Sequence, residues 1–202
     1  MIDPELLRLL RWRRDVRQFA VTPLAPAVLD ALIAAADLAP SVGLSQPWRF
    51  VLVDDSERRA GVKAVFERCN REALACQDGD RAATYAGLKL AGLDQAPCHL
   101  VVFVDDDPVQ GHGLGRRTMP ETPAYSTVMA IHTLWLAARS LGVGVGWVSI
   151  LDPPAVTAIL DVPSSWRLIA YLCLGYPDRE SDVPELERAG WERRRPTRLV
   201  RR

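Results

Sequence analysis

The most constraining feature of this 202-residue sequence is the run of five apolar residues at 100–104 (LVVFV), which three aspartates follow. A strand that is apolar at every position predicts burial on both faces, because successive side chains point to opposite sides of a sheet. Helices must then cover the sheet on two sides. The sequence therefore indicates an α+β fold with a short mixed β-sheet surrounded by helices. The predicted strands are residues 50–53, 100–104, 147–150 and 168–174.

Apolar periodicity predicts six helices around these strands. The first has Asp3 as its N-cap and Pro4 in its first turn, both typical of a helix start. Ser56 is the expected N-cap of the third. The helix over residues 125–141 is apolar on more than one stripe, which predicts a long central helix at a dimer interface. The predicted helices are residues 4–13, 26–39, 56–77, 85–93, 125–141 and 154–160.

Length and composition favour a single domain spanning residues 1–202. Apolar residues make up 49% of the chain, and 25 Lys and Arg balance 25 Asp and Glu. No overall field therefore attracts nucleic acid or an anionic membrane. The four cysteines and three histidines lack the spacing of a metal site, and no apolar run is long enough to span a bilayer. We expect a reduced, cytoplasmic protein with no metal ion, nucleic-acid partner or membrane anchor.

A cluster of guanidinium groups follows the first predicted helix, at residues 13–17 (RRDVR). Three clustered positive charges repel one another unless an anion lies among them, and arginine binds phosphate oxygens in a bidentate way. The cluster predicts a phosphate-bearing ligand, with a solvated helix end as the alternative. The basic tail, residues 191–202, predicts either a second set of guanidiniums at the same phosphate or plain solvation.

Residues 142–147 (GVGVGW) follow a predicted helix and precede a predicted strand. The dinucleotide-binding fingerprint has the opposite order, so this run does not predict a dinucleotide fold. Gly142 is expected to end the helix as a C-cap, before a tight turn. The next two glycines predict that a flat or bulky group approaches the backbone closely.

Two loops have the composition of binding segments. Residues 40–48 (PSVGLSQPW) offer uncharged donors and acceptors from Ser41, Ser45 and Gln46, which suit the edge of a neutral heteroaromatic ring. An ordinary connection is the alternative, because loops of this length are common. Residues 111–123 are rich in glycine and proline, which predicts a lid or a binding loop.

Taken together and in this order, these segments resemble the nitroreductase-like flavoprotein family over nearly the whole chain. The resemblance implies the nitroreductase-like fold, bound FMN, and an intertwined homodimer with flavin sites at the interface. In that family an arginine-rich segment grips the FMN phosphate, the PSxxxxQPW loop lies near the isoalloxazine, and the glycine run faces the ring. The FMN-binding residues implied are Arg13, Arg14, Asp15, Val16, Arg17, Pro40, Ser41, Gly43, Gln46, Gly146, Trp147, Val148, Ser149 and Arg194.

Within the family, the sequence is most similar to the branch that converts reduced FMN and O2 to 5,6-dimethylbenzimidazole, the lower ligand of cobalamin (vitamin B12). Ser45 favours that branch, since general nitroreductases often have Asn there. The resemblance implies Asp15 as the group that moves protons at the ribityl carbon, and Ser149 as a hydrogen-bond partner of the flavin. It also implies an external NAD(P)H-dependent flavin reductase as the electron supply. The alternatives are an NAD(P)H-dependent nitroreductase or quinone reductase that keeps its FMN, and a non-catalytic flavin-binding protein.

Overall fold

The computed structural model of the protein describes residues 1–88 and 92–202. Within these residues the chain forms seven helices and four strands, and a short 3-10 turn, Val42–Leu44, precedes the first strand. The elements are α1 (Pro4–Trp12), α2 (Pro26–Ala36), β1 (Trp48–Leu52), α3 (Ser56–Ala75), α4 (Gly79–Gly87), β2 (Cys98–Asp105), α5 (Thr122–Ser140), β3 (Gly144–Val148), α6 (Pro153–Leu160), β4 (Trp166–Gly175) and α7 (Glu185–Arg188).

The four strands form one sheet in the order β1-β2-β4-β3, and each neighbouring pair is antiparallel. A parallel component comes from an isolated bridge between Asp15 and Val145 in β3. β2 and β4 are the inner strands, and seven of the eight residues of β2 are buried. The strand that is apolar at every position therefore occupies the place that its composition predicts.

Alternate residues of β2 point into two separate hydrophobic clusters. Leu100 and Val102 pack with the cluster that includes residues of α2 and α5. Val101 and Phe103 pack with the cluster that includes residues of α3 and α6. The sheet is thus covered by helices on both faces, which confirms the α+β prediction.

The long helix α5 lies at the centre of the first cluster. Its residues Ala130, Ile131, Leu134 and Ala138 are fully buried against the sheet and α2. Among the described residues, none of the helices combines the length and the apolar character that a bilayer crossing requires.

Two local predictions about helices were wrong. The N-cap of α3 is Asp55, whose Oδ1 accepts hydrogen bonds from the backbone of Glu57 and Arg58 at 2.7 and 3.2 Å. A carboxylate also interacts favourably with the helix dipole. Asp55 is therefore preferred as the N-cap, and Ser56 is the first residue of the helix. A helix was predicted over residues 85–93, but the helix in this region, α4, spans Gly79–Gly87. Residues 89–91 of the prediction lie outside the described residues.

Candidate functional site

The segment that follows α1 lies along the outer edge of β3. Val16 N donates to the carbonyl of Val145 at 3.0 Å, and Asp15 Oδ1 accepts from the backbone N–H of Trp147 at 2.9 Å. We call residues 13–17, β3 with the following Ser149, and Arg194 the β3 corner. The sheet thereby holds the arginine cluster in a fixed position.

Gly144 and Gly146 make this close approach possible. A Cβ added to Gly146 would lie 2.2 Å from the carbonyl oxygen of Val16, and one on Gly144 would lie 2.8 Å from the Val16 side chain. The strand predicted over residues 147–150 begins earlier in the structure, because Gly144 and Gly146 both lie inside β3. The chain's own residues 15–16 occupy the space that the missing side chains leave, while Gly142 has the positive φ of 73° expected after a helix end.

Asp15 is held by hydrogen bonds on both carboxylate oxygens. Oδ2 accepts from Arg17 Nε at 2.8 Å, while Oδ1 accepts from Trp147 N–H. The side chain of Arg17 is 10% exposed and that of Asp15 is 34% exposed. The carboxylate is therefore oriented by two donors yet still reaches the surface of the corner.

The guanidinium groups of Arg13, Arg14 and Arg194 repel one another at the β3 corner. Burial lowers the pKa of Arg13, and the charge of Arg194 lowers it further, whereas Asp15 acts in the opposite direction. Burial, Arg194 and Arg13 also lower the pKa of Arg14. The Arg13 guanidinium lies 4.9 Å above the ring of Trp135, and Arg14 Nε donates to the carbonyl of Asp182 at 2.7 Å. Like charges brought this close are stabilised by an anion.

Two cavities flank Arg17. The first, of about 320 Å³, has five arginines and three acidic residues in its wall. The second, of about 420 Å³, lies against α3 and the residues that follow α4. The charged residues of the first wall are Arg14, Arg17, Arg139, Arg179, Arg188, Asp15, Glu180 and Glu185. Arg17 and Gln18 line both cavities, so a ligand bound beside Arg17 has space on either side.

Both catalytic candidates lie at the β3 corner. Val148 is buried as the last residue of β3, and Ser149 is exposed immediately after it. Ser149 is two residues beyond Trp147, or about 7 Å along an extended chain. The amide of Trp147 binds Asp15. The structure therefore joins Asp15 to Arg17 and to the Trp147 amide, and it places Ser149 two residues further along the chain. The roles of these residues stay predictions.

The other predicted flavin-binding loop lies elsewhere in the molecule. Residues 40–47 lead into β1 and face residues 108–116, and we call these two loops the β1 corner. Gln46 Oε1 accepts from Gln110 Nε2 at 3.0 Å, and a Cβ on Gly111 would lie 2.7 Å from the Gly43 carbonyl oxygen. The predicted lid, residues 111–123, thus begins within the β1 corner rather than at the β3 corner, and its movement stays a prediction.

The polar groups of the β1 corner are only partly satisfied. Ser41 Oγ accepts from the backbone N–H of Gln46 at 3.1 Å. Ser45 Oγ is buried, and it has no hydrogen-bond partner within the described residues. Leu44 and Gln46 have backbone φ values of 55° and 41°, which residues other than glycine rarely adopt. Backbone strain of this kind is concentrated at functional sites.

The two corners are far apart within one chain. Val145 is level with Cys98 at one end of β2, whereas Trp48 is level with Val104, six residues along. The sheet order places three strand spacings between β3 and β1. At ~3.3 Å per residue and ~4.8 Å per strand, the corners are separated by ~20 Å along the strands and ~14 Å across them. One chain therefore does not bring all the predicted FMN-binding residues to one ligand.

An apolar surface on α5 is left uncovered. Tyr125, Val128 and Met129 are 54%, 41% and 40% exposed, and their spacing places them on one face of the helix. Their opposite neighbours are buried against the sheet. This face fits the predicted contact with a second subunit. Within the described residues, no group of three or more His, Cys, Asp or Glu side chains is arranged to hold a metal ion.

Residues 10–176, which contain the sheet, α5 and most of the β3 corner, match the Nitroreductase family. The chain belongs to this family. That confirms the resemblance recognised in the sequence, together with the nitroreductase-like fold.

Two curated relatives align over almost the whole chain. The 5,6-dimethylbenzimidazole synthase of Rhodospirillum rubrum is 59% identical over 194 residues, which cover 96% of this chain and 92% of that protein. A protein of the same name from Rhodobacter capsulatus is 51% identical over 197 residues, which cover 98% and 95%.

Solved structures share the fold of this Nitroreductase family member. Iodotyrosine deiodinase bound to FMN and 3-iodo-L-tyrosine has a TM-score of 0.76 at 26% identity, with 97% of each chain covered. A nitroreductase with bound FMN from Desulfitobacterium hafniense has a TM-score of 0.65 at 22% identity, covering 93% of this chain and 97% of that one.

Proposed function

We propose that this protein converts reduced FMN and O2 to 5,6-dimethylbenzimidazole, the lower ligand of cobalamin. Relatives at 51–59% identity carry the name of that synthase, and the alignments cover nearly all of both chains. One structural observation carries the proposal: the Asp15 carboxylate is oriented by Arg17 and Trp147 N–H beside an arginine cluster.

The residues of the β3 corner fit the phosphate of FMN. Arg13, Arg14 and Arg194 repel one another in the absence of an anion, and both Arg13 and Arg14 have lowered pKa values for that reason as well as burial. A phosphate with two negative charges removes this repulsion and accepts bidentate hydrogen bonds. Arg17, at the boundary of the two cavities, binds the part of the ligand beyond the phosphate.

Bound reduced FMN, with O2 as oxidant, supplies the electrons and the carbon skeleton of the product. In our proposal Asp15 accepts or returns the proton at the first ribityl carbon, because its oxygens are held in place but not sealed from the corner. Arg17 keeps that carboxylate oriented through a hydrogen bond from its Nε. Ser149 donates a hydrogen bond to the flavin, and the backbone of Gly146, Trp147 and Val148 provides the adjoining wall.

We further propose that the active unit is a homodimer. The exposed apolar face of α5 provides a contact surface. The corners are separated by ~20 Å along the strands and ~14 Å across them, so a second chain is required to complete one site. Pro40, Ser41, Gly43 and Gln46 of the β1 corner then approach the flavin held at the β3 corner of the other subunit. An external NAD(P)H-dependent flavin reductase in the cytoplasm supplies reduced FMN.

The deciding experiment supplies the protein with reduced FMN and air and detects the product by mass spectrometry. FMN labelled with ¹³C at the first ribityl carbon is expected to yield dimethylbenzimidazole that contains one ¹³C atom. In a parallel assay with NAD(P)H in place of reduced FMN, oxidation of NAD(P)H with no loss of bound FMN supports a reductase instead. FMN uptake without product or NAD(P)H oxidation supports a flavin-binding protein, and either result overturns the proposed reaction.

A further inference from the structure

The C-terminal segment contacts α4 through one tryptophan. The ring of Trp191 packs edge-on against Tyr85 with 6.0 Å between centroids and an interplanar angle of 62°. The guanidinium of Arg81 lies 5.4 Å from the centre of the same indole. Arg81 and Tyr85 are four residues apart on α4, so Trp191 covers one continuous face of that helix.

α4 has few other means of stability. It is a nine-residue helix that begins with Gly79 and ends with Gly87, and Tyr85 is its one buried residue. The side chain of its N-cap, Asp78, makes no capping hydrogen bond. Helices this short are marginal in water unless tertiary packing supports them, and terminal glycines lower the helix propensity further. α4 therefore depends on tertiary contacts, which include its packing against α3 and the Trp191 contact.

The position of α4 also sets one wall of the second cavity. Tyr85 OH donates to Asn70 Oδ1 at 2.9 Å, and Asn70 lines that cavity. Leu88, the C-cap of α4, lines it as well, together with Arg17 from the β3 corner. A displacement of α4 therefore moves the wall that faces Arg17.

The segment that carries Trp191 reaches the arginine cluster three residues later. Arg194 is at most ~11 Å from Trp191 along an extended chain. Its charge acts on Arg13 and Arg14, where it lowers both pKa values. Without an anion, the repulsion among these three groups opposes docking of the C-terminal segment, and a bound phosphate removes that opposition.

We propose that Trp191 is a positioning residue that couples phosphate binding at Arg13, Arg14 and Arg194 to the placement of α4 beside the second cavity. The inference rests on the proposed function, in which the phosphate belongs to FMN. Phosphate binding fixes Arg194, Arg194 fixes Trp191, and Trp191 fixes Arg81 and Tyr85. The coupling is reciprocal, so a docked α4 also favours phosphate binding.

Hydrogen exchange of the α4 amides tests the coupling, with FMN and riboflavin compared at saturation. The two ligands share the ring system, but riboflavin lacks the phosphate. In the unmodified protein, FMN is expected to slow α4 exchange about tenfold relative to riboflavin, within the usual range of coupling between sites. Trp191→Ala is expected to abolish that difference, and Trp191→Phe, which keeps a ring against Tyr85, to restore most of it.

Arg194→Ala should also remove the difference, whereas Arg198→Ala, its matched control in the same segment, should not. Equal protection by FMN and riboflavin in the unmodified protein, or a full FMN effect in Trp191→Ala, overturns the coupling. Calorimetry distinguishes failure of the proposed function from failure of the coupling. Absence of FMN uptake refutes both. FMN uptake without phosphate-dependent protection refutes the coupling alone.

Discussion

The two corners of the sheet differ in how completely a single chain satisfies them. At the β3 corner, both oxygens of Asp15 accept hydrogen bonds, from Arg17 and from the Trp147 amide. At the β1 corner, Ser45 Oγ is buried without a partner among the described residues, and Leu44 and Gln46 have positive φ values. The contrast indicates that a single chain fully orients the Asp15 carboxylate of the first corner, whereas it leaves a buried hydroxyl of the second corner without a partner among the described residues.

The strain at the β1 corner is held by packing between its two loops. A residue other than glycine at positive φ costs roughly 1–2 kcal/mol, so the conformation persists only when neighbouring groups enforce it. Gln110 does so by donating to the Leu44 carbonyl at 2.7 Å as well as to Gln46. In the proposed dimer, contact with the flavin of the other subunit offsets part of this cost.

The largest expected effect is at Asp15. Asp15→Asn keeps an oxygen for the Trp147 amide but removes the charge that orients Arg17 and handles the proton. We expect dimethylbenzimidazole formation to fall at least about 100-fold, the lower end of what acid–base groups contribute. FMN binding, measured by calorimetry, should persist. Asp106→Asn, which disrupts an ion pair with Arg167 outside the β3 corner, is the control, and undiminished product in Asp15→Asn removes the residue from the reaction.

Ser149→Ala tests the second catalytic candidate at the same corner. Its hydroxyl is exposed, so the free energy of unfolding should change by less than about 0.5 kcal/mol. Product formation is expected to fall about 100-fold if the hydroxyl stabilises developing charge on the flavin. Ser140→Ala, at the exposed end of α5, serves as the matched control in the same mass-spectrometric assay. A Ser149→Ala protein with normal product formation rules out that hydrogen bond.

The need for a second chain is tested on the exposed face of α5. Met129→Glu places a charge in the proposed contact, where desolvation and repulsion are expected to weaken dimerisation at least about 100-fold. Sedimentation velocity measures this, and FMN affinity should fall with it. Leu52→Glu adds the same charge to another partly exposed apolar position, on β1. Unaltered dimer and FMN affinity in Met129→Glu contradict the proposed interface.

Two arginines of the β3 corner are expected to differ in their contribution to FMN binding. Loss of a largely buried, charge-assisted interaction costs about 1.5–3 kcal/mol, so Arg17→Ala should raise the FMN dissociation constant about 10- to 100-fold. Arg14 is more open and already donates to the Asp182 carbonyl, and Arg14→Ala should have a smaller effect. Calorimetric titration ranks the two, and the reverse order argues against direct binding of the ligand by Arg17.

The smallest expected effect is that of Ser45→Ala, and its direction shows whether Ser45 Oγ has a hydrogen-bond partner in the complex. If the second subunit or the flavin supplies a partner for Ser45 Oγ, Ser45→Ala should weaken FMN binding by about 1 kcal/mol, or roughly fivefold. If the hydroxyl has no partner, its removal should leave binding unchanged and raise the melting temperature. Ser41→Ala, which removes a hydroxyl already bonded to the Gln46 amide, is the comparison.

The sequence predicted those features that local rules determine. Asp3 caps α1 as expected, and the apolar run of β2 is an inner strand. Gly146 shows the limit, because only the folded structure reveals that the Val16 carbonyl occupies the space above it. The pairing of Trp191 with α4 spans about a hundred residues of sequence, and no periodicity or spacing signals it.

The arginine segment also protects the sheet itself. β3 is an edge strand, and an uncovered edge invites strand addition from another molecule, which leads to aggregation. Residues 15 and 16 fill part of that edge, and the chain continues to a further bridge between Phe19 and Pro177. The segment that we propose binds the phosphate therefore also covers the edge strand. A substitution that loosens it, such as a side chain at Gly146, is expected to reduce solubility as well as binding.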